Sequence, residues 1–145
     1  MPVTPRPPKS EFGRKRGVVG VIRRGDKILI IQRSKHVTAP LKWCLPGGTM
    51  EKGESEEQTL VREMKEELSI DVTPMRLCWR SITPWGTTLA WWQAELDESV
   101  TPVPDAAEVA QYRWMTQEEI YFAEGMLPSL PAFLDAVASG EIVLE

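Results

Sequence analysis

The sequence predicts a mixed α/β (α+β) domain, because segments typical of strands alternate with segments typical of helices. Residues 18–22 and 27–31 are β-branched runs on either side of a short turn, which indicates an antiparallel hairpin. Residues 55–68 instead repeat apolar side chains at helical spacing. Hydrophobic residues make up 42% of the chain and charged residues 26%, a balance that excludes collagen-like, disordered and disulfide-framework proteins.

Prolines and glycines mark the loops and turns in the first third of the chain. Residues 1–13 contain four prolines and few apolar side chains, so we expect a flexible leader there and one domain over residues 14–145. An Arg-Gly-Asp turn at 24–26 connects the strands of the first hairpin. A polar loop at 34–42 and a short apolar stretch at 43–45 follow, and a Pro-Gly-Gly sequence stops that stretch.

Three further strands are predicted in the second half of the chain. Residues 76–83 and 88–95 are expected to pair across a Pro-Trp-Gly turn, and residues 109–115 form the last strand. Neighbouring residues of a strand face opposite sides of a sheet. At least one of the adjacent Trp91 and Trp92 is therefore expected in the core.

Each predicted helix has its own boundary signal. Ser55 begins the first helix, with Gln58 three positions later as in a capping box. Thr116 begins a short second helix in the same way, with a glutamate three positions later. Residues 130–139 are expected to form the third helix, which Gly140 ends.

Charge and apolar patterning narrow the class of protein. The formal net charge is −4, which argues against a nucleic-acid polymer as the partner. No apolar run approaches the roughly 20 residues of a membrane span, and no secretory leader opens the sequence. We therefore expect a cytoplasmic protein with no membrane partner, in which Cys44 and Cys78 are small core residues.

The helix predicted at 55–68 carries a cluster of carboxylates. At about 100° per residue, Glu63, Glu66 and Glu67 share one face, and Glu56 falls on the same side. Like charges at this spacing each destabilise an isolated helix by roughly 0.2–0.5 kcal/mol, an effect that bound Mg²⁺ or Mn²⁺ would reverse. From these residues alone, a solvated face is the more common interpretation and a metal site the alternative. The apolar stripe beside this face comprises Leu60, Val61, Met64 and Leu68.

The residues around this helix form a longer pattern. It reads Gly48, five residues, Glu54, seven residues and then the segment Arg62-Glu63-Met64-Lys65-Glu66-Glu67-Leu68-Ser69-Ile70. This pattern resembles the signature of the Nudix hydrolases and departs from it at Ser69, where the family has glycine. The family's glycine follows the helix in a left-handed conformation, so serine there is expected to cost on the order of 1 kcal/mol.

The resemblance implies a fold, a reaction and a cofactor. The implied fold is a Nudix-like α/β/α sandwich with a mixed β-sheet and the catalytic helix at 55–68. The implied reaction is hydrolysis of a nucleoside diphosphate linked to another group, with Mg²⁺, or alternatively Mn²⁺, as the cofactor. An acidic site requires such cations if it is to bind an anionic phosphoanhydride.

The resemblance also implies roles for the catalytic residues of the signature. Arg62 is expected to pair with Glu54 and so orient the catalytic helix. The general base is Glu63 or Glu66, and the family does not keep this role at one position. The implied metal ligands are the carboxylates of Glu63, Glu66 and Glu67 and the backbone carbonyl of Gly48.

Three candidate residues lie outside the signature. Glu108 precedes Trp114 much as a further metal-binding glutamate does in MutT-type members, and an ordinary loop carboxylate is the alternative. Arg33 resembles a phosphate-contacting arginine, and a surface strand end is the alternative. Trp85 is the tryptophan best placed to contact substrate, whereas His36, the one histidine, is expected to be a surface residue.

The size of the chain and its uninterrupted 70–115 region resemble small MutT-like members. The expected substrate is therefore a nucleoside triphosphate, in a house-cleaning role, and the expected state is a monomer or homodimer. MutT-type enzymes read an oxidised purine with a late Asn or Asp, and this chain contains no asparagine. The alternatives are an ADP-ribose or dinucleoside polyphosphate hydrolase, a non-catalytic Nudix-fold nucleotide-binding or regulatory module, and an unrelated interaction domain.

Overall fold

The computed structural model describes residues 15–145, so the leader expected at 1–13 lies outside the described residues. The helices are α1 Glu56–Leu68, α2 Gln117–Phe122 and α3 Ser129–Ala138. The strands are β1 Arg16–Arg24, β2 Lys27–Arg33, β3 Trp43–Cys44, β4 Gly47–Thr49, β5 Thr73–Ile82, β6 Thr88–Glu95 and β7 Val109–Thr116.

The strands form one mixed sheet with the order β3-β2-β1-β6-β5, in which β4 also pairs with β1 and β7 with β2. The predicted hairpin of β1 and β2 is antiparallel, with Arg24 opposite Lys27. Strands β1 and β6 run parallel, with Gly17 opposite Leu89. The sheet is therefore mixed, as predicted, and its parallel pairing joins strands from distant parts of the sequence.

The sheet buries side chains on both faces. Leu29 of β2 belongs to the same buried cluster as Leu60 of α1. The neighbouring Ile28 and Ile30 instead belong to a second cluster with Phe133 of α3. Because alternate residues of a strand point to opposite faces, β2 is covered by a helix on each side. This arrangement is the predicted α/β/α sandwich.

The two adjacent tryptophans of β6 point in different directions, one into the core and the other toward the start of α1. Trp91 is 1% exposed and stacks on Phe133, with ring centroids 4.7 Å apart. Trp92 instead donates a hydrogen bond of 2.9 Å from Nε1 to Glu56 Oε1. The prediction that at least one of the pair lies in the core is confirmed. Glu56 also accepts hydrogen bonds from Arg16 and Arg80, so its carboxylate is paired with two arginines.

Three details differ from the sequence predictions. The Pro-Gly-Gly segment contains the short strand β4, because glycine lets its backbone lie against β1: a Cβ on Gly47 would overlap the Val18 carbonyl. Strand β5 begins at Thr73 rather than at residue 76. Val61 is 38% exposed and does not belong to the buried stripe, since it lies about 100° around the helix from the residue before it.

Both predicted capping boxes are present. Ser55 Oγ accepts a hydrogen bond from the Gln58 backbone N–H, and Gln58 Oε1 accepts one from the Ser55 N–H, at 3.1 and 2.9 Å. Thr116 and Glu119 make the same reciprocal pair at the start of α2. Gly140, with φ of 86°, follows α3 as the expected stop.

Neither cysteine is part of a disulfide. Cys44 and Cys78 are half-buried free thiols that pack against the two core clusters. Burial raises the pKa of the Cys44 thiol to about 11. Among residues 15–145, no helix is both long enough and apolar enough to cross a membrane.

Helix α1 ends on a strained residue. Ser69 has φ of 55° and ψ of 40°, and its backbone N–H donates to the Lys65 carbonyl. We expect Ser69→Gly to raise the free energy of unfolding by about 0.5–1 kcal/mol, because glycine adopts this conformation without a Cβ clash. Urea denaturation measures the change. The control is Ser139→Gly after α3, where φ is −80° and glycine relieves no strain; an equal gain there would contradict the explanation.

Candidate functional site

The site forms where α1 lies against β1 and β4. Two glycines allow this close approach. A Cβ on Gly48 of β4 would overlap the Glu63 carboxylate. A Cβ on Gly20 of β1 would lie 3.0 Å from Leu60 Cδ1. The missing side chain at Gly48 therefore provides the space in which the Glu63 carboxylate sits beside the β4 backbone.

An ion pair fixes the loop before α1 to the helix. Arg62 Nε donates to Glu54 Oε2 at 2.6 Å, and Arg62 Nη2 donates to Glu54 Oε1 at 3.0 Å. Arg62 Nη2 also donates to the Thr49 carbonyl at 3.0 Å, and Thr59 Oγ1 donates to Glu54 Oε1. The hydrogen bonds from Arg62, with one from the Glu51 N–H, lower the pKa of Glu54 to about 2. Glu54 is therefore ionised throughout the neutral range.

Two carboxylates of α1 are buried. Glu63 is 9% exposed and Glu67 is 7% exposed. Burial, opposed by Arg62 and reinforced by neighbouring carboxylates, raises the pKa of Glu63 to about 7. Burial and the negative charges of Glu63 and Glu108 raise the pKa of Glu67 to about 9. Glu67 Oε1 is buried and has no hydrogen-bond partner among the described residues. Leaving such an oxygen unpaired is costly unless a ligand uses it.

The third carboxylate of the predicted ligand set is exposed. Glu66 Oε1 accepts a hydrogen bond of 3.1 Å from Arg62 Nη1, which also lies 3.6 Å from Glu63 Oε1. A guanidinium nitrogen thus lies between two of the carboxylates. Within residues 15–145, no three acidic, histidine or cysteine side chains are gathered closely enough to hold a metal ion. The predicted ligand set is therefore not gathered at one point here, and Glu66 is paired with Arg62 instead.

A cavity of about 450 Å³ opens beside Glu67. Its wall brings together predicted residues from four separate segments: Arg33, Gly48, Glu108 and Trp85. Trp85 is 69% exposed, and Glu108 is exposed as well. Glu54, Arg62, Glu63 and Glu66 do not line the cavity and lie beside it on α1 and the preceding loop.

Other cavity residues were not assigned from the sequence. Most of them are apolar or aromatic, and no motif in the sequence marks them as cavity residues. His36, as expected, is an exposed loop residue. The unassigned wall residues include Val37, Cys44, Trp79, Ser81, Leu127 and Ala132.

Comparison with known proteins identifies the family. The model of the NUDIX domain matches residues 13–136, which is most of the chain. The chain belongs to the Nudix family. The crystal structure of the MutT protein from Methanosarcina mazei Go1 has the same fold, with a TM-score of 0.76 over 88% of this Nudix chain and 94% of that one, at 21% identity.

Two curated relatives have higher sequence identity to this Nudix chain, over a smaller part of it. The NAD-capped RNA hydrolase NudC of Vibrio atlanticus is 31% identical over 99 residues, which is 67% of this chain and 35% of the relative. The putative 8-oxo-dGTP diphosphatase 2 of Mycobacterium tuberculosis is 40% identical over 58 residues, which is 40% of this chain and 41% of the relative. The chain thus matches well under half the length of these relatives.

Nudix hydrolases act on nucleoside diphosphate derivatives and generally need divalent cations. The residues of this Nudix chain fit such an ion in two respects. Glu67 Oε1 is a buried carboxyl oxygen without a hydrogen-bond partner among the described residues, and the donors predicted for the ion are all oxygen atoms, which Mg²⁺ prefers. Because Gly48 has no side chain, the Glu63 carboxylate also lies directly against the Gly48 backbone.

Proposed function

We propose that this protein is a Mg²⁺-dependent hydrolase that cleaves a phosphoanhydride bond in a nucleoside diphosphate linked to another group. The observation that carries the proposal is the unpartnered, buried Glu67 oxygen in the wall of a 450 Å³ cavity. A buried polar oxygen without a partner destabilises the protein, and a cation that displaced the Glu67 proton would both bind this oxygen and attract a polyphosphate. The cavity volume falls within the range of small-molecule sites.

Within this proposal, Glu63, Glu66, Glu67 and the Gly48 carbonyl hold the ion. Bound Mg²⁺ offsets negative charge on the phosphates and lowers the pKa of an attacking water. The Glu54–Arg62 ion pair positions the helix that carries the carboxylates. The general base is Glu63 or Glu66, whichever carboxylate is free to accept the proton of water.

The proposal assigns substrate contacts to the cavity wall. Glu108 supplies a further carboxylate for a metal ion. Arg33 contacts a phosphate, because its guanidinium charge reaches Glu67 and so lies near the proposed ion. Trp85 contacts the nucleobase, since its exposed indole borders the same cavity. Stacking of a base on an indole does not depend strongly on base identity.

We propose a nucleoside triphosphate as the substrate, handled in a MutT-like, house-cleaning role. The absence of asparagine from the chain leaves Ser129 as the polar residue that the start of α3 contributes to the cavity. A hydroxyl discriminates less strongly among base edges than a carboxamide does, so an assignment to oxidised guanine alone is not favoured. The expectations of a small-molecule partner, a monomer or homodimer, and a cytoplasmic location stay predictions.

Turnover measurements test the proposed function. We expect pyrophosphate or phosphate release from nucleoside triphosphates only when Mg²⁺ or Mn²⁺ is present, and a loss of about a hundredfold in Glu66→Gln. The matched control is Glu57→Gln, which changes an exposed glutamate of the same helix. The panel includes oxidised nucleotides, ADP-ribose, dinucleoside polyphosphates and an NAD-capped RNA.

The outcomes of that panel separate the alternatives. Preference for ADP-ribose or a dinucleoside polyphosphate would keep the hydrolase and replace the substrate. Turnover of the capped RNA would overturn the expectation that no nucleic-acid polymer binds. Nucleotide binding without any hydrolysis would contradict the proposal and indicate a binding module.

A further inference from the structure

The guanidinium of Arg33 is held by one residue of the following loop. Arg33 Nε donates to the Thr38 carbonyl at 2.7 Å, and Arg33 Nη2 donates to Thr38 Oγ1 at 3.1 Å. Thr38 thus accepts both hydrogen bonds from the side edge of the guanidinium. The end edge, formed by Nη1 and the second N–H of Nη2, has no oxygen acceptor among the described residues, and the Cys44 thiol lies within hydrogen-bonding reach of the Arg33 side chain. Two parallel N–H donors on one edge match the oxygens of a phosphate.

The backbone of the loop is closed around this contact. The Arg33 N–H donates to the Lys42 carbonyl at 2.8 Å, and the Leu41 N–H donates to the Arg33 carbonyl at 3.0 Å. Ala39 and Leu41 have φ values of 50° and 63°, a left-handed conformation that residues with a Cβ rarely adopt. Such a conformation persists only where the surrounding structure holds it in place. Here it keeps the Thr38 carbonyl and hydroxyl turned toward one side chain.

The base of the loop is fixed to another part of the site. Ser34 is 2% exposed, its Oγ donates to the Ala107 carbonyl at 2.8 Å, and its N–H donates to the Glu108 carbonyl at 3.0 Å. The segment that follows Arg33 is therefore joined to the segment that carries Glu108. The side chains of Arg33 and Glu108 both line the cavity beside Glu67, and Val37 of the loop after Arg33 lines it as well.

We propose that Thr38 is a positioning residue, which orients the end edge of the Arg33 guanidinium toward a phosphate of the substrate in the cavity. The phosphate contact itself rests on the proposed function. Thr38 touches no substrate atom, and it acts through Arg33 alone. Its hydroxyl restricts rotation of a long side chain, so less conformational entropy is lost when the phosphate binds.

Steady-state kinetics with a nucleoside triphosphate tests the proposal. We expect Thr38→Val to raise KM by roughly three- to tenfold, as for the loss of one hydrogen bond, with kcat within about twofold of wild type. Thr38→Ser keeps the hydroxyl and should keep the wild-type KM. The matched control is Thr73→Val, at an exposed threonine at the start of β5. Melting temperatures confirm that each variant is folded.

A double-mutant cycle separates positioning from general loop stability. In the Arg33→Ala background, Thr38→Val should have no further effect on KM, because the side chain through which it acts is gone. An equal effect in both backgrounds would overturn the proposal, as would a Thr38→Ser variant with the KM of Thr38→Val.

The proposal also remains testable if the wild-type protein hydrolyses no nucleotide, an outcome that would contradict the proposed function. Calorimetry then compares the affinities of wild type and Thr38→Val for inorganic tripolyphosphate with Mg²⁺. Weaker binding by Thr38→Val supports the positioning role, and equal affinities overturn it.

Discussion

Glu67→Gln is expected to remove Mg²⁺-dependent turnover and to leave the protein folded. The substitution keeps the shape of the side chain and removes one negative charge from the proposed metal site. We expect kcat/KM to fall by about a hundredfold or more, because the cation that offsets phosphate charge would bind weakly. The rate is measured over a series of Mg²⁺ concentrations, so that weaker metal binding appears as a shifted requirement for the ion.

The same variant should not be less stable than wild type when no metal is present. Burial raises the pKa of Glu67 to about 9, so this side chain is neutral in the metal-free protein at pH 7, as glutamine is. A substitution that merely damaged packing would lower both activity and melting temperature. Glu57→Gln, on the exposed side of α1, is the control and should keep the wild-type rate. A Glu67→Gln variant with a rate within about threefold of wild type would remove Glu67 from the proposed ligand set.

Local signals in the sequence were sufficient to predict α1. A capping residue at Ser55 and apolar residues at four-residue spacing specify its start and its buried face without reference to the rest of the chain. The pairing of Glu54 with Arg62 was implied by the resemblance to the Nudix signature, and the structure contains it. The signature spacing gave the carboxylates a common face. It did not reveal that Glu63 is buried while Glu66 is exposed and paired with Arg62, because burial depends on which edge of α1 docks.

The rest of the site depends on contacts between distant segments. The sequence marked the glycines of β4 as a stop signal, yet their pairing with β1 and their closeness to Glu63 require the folded sheet. Trp85 was predicted in a turn, and the pairing of β6 with β1 and β5 places that turn at the cavity that residues of β1 also line. Thr38 belongs to no recognisable motif. Its proposed role depends on the left-handed backbone at Ala39, and the sequence does not predict that conformation because the residue is not glycine.

The stability of the metal-free protein is expected to fall as the pH rises from about 5 to 9. In the unfolded chain both glutamates lose their protons near the ordinary glutamate pKa of 4.5, whereas the folded chain holds them until the pKa of about 7 for Glu63 and about 9 for Glu67. Between these values the folded state binds more protons than the unfolded state, so the free energy of unfolding decreases with pH. Each pH unit over which one such proton is held costs up to about 1.4 kcal/mol, or about 3–5 °C in melting temperature.

Opposite behaviour is expected below this range. The pKa of Glu54 is lowered to about 2 by its hydrogen bonds with Arg62, so its stabilising effect is complete above pH 4.5 and is lost as the pH falls toward 2. The metal-free protein should therefore be most stable near pH 5. Thermal melts in the presence of a chelator at several pH values locate this maximum. In an Arg62→Met variant, the loss of stability between about pH 4.5 and 2 should disappear.

Mg²⁺ should reverse the loss of stability between about pH 5 and 9, because the ion binds the carboxylates only after their protons leave. Its stabilising effect is then small at pH 5 and grows with pH, since a ligand that binds only the folded state stabilises it by RT ln(1 + [Mg²⁺]/Kd), and Kd falls as the carboxylates lose their protons. In Glu67→Gln, the decrease in melting temperature above pH 7 should become smaller. The increase in melting temperature caused by Mg²⁺ should also disappear, since Glu67 causes both effects. Melting temperatures that rise from pH 6 to 9 without metal would contradict the raised pKa values of Glu63 and Glu67. An Mg²⁺-induced increase in melting temperature that survives Glu67→Gln would show that the buried glutamate and the cation do not share a site.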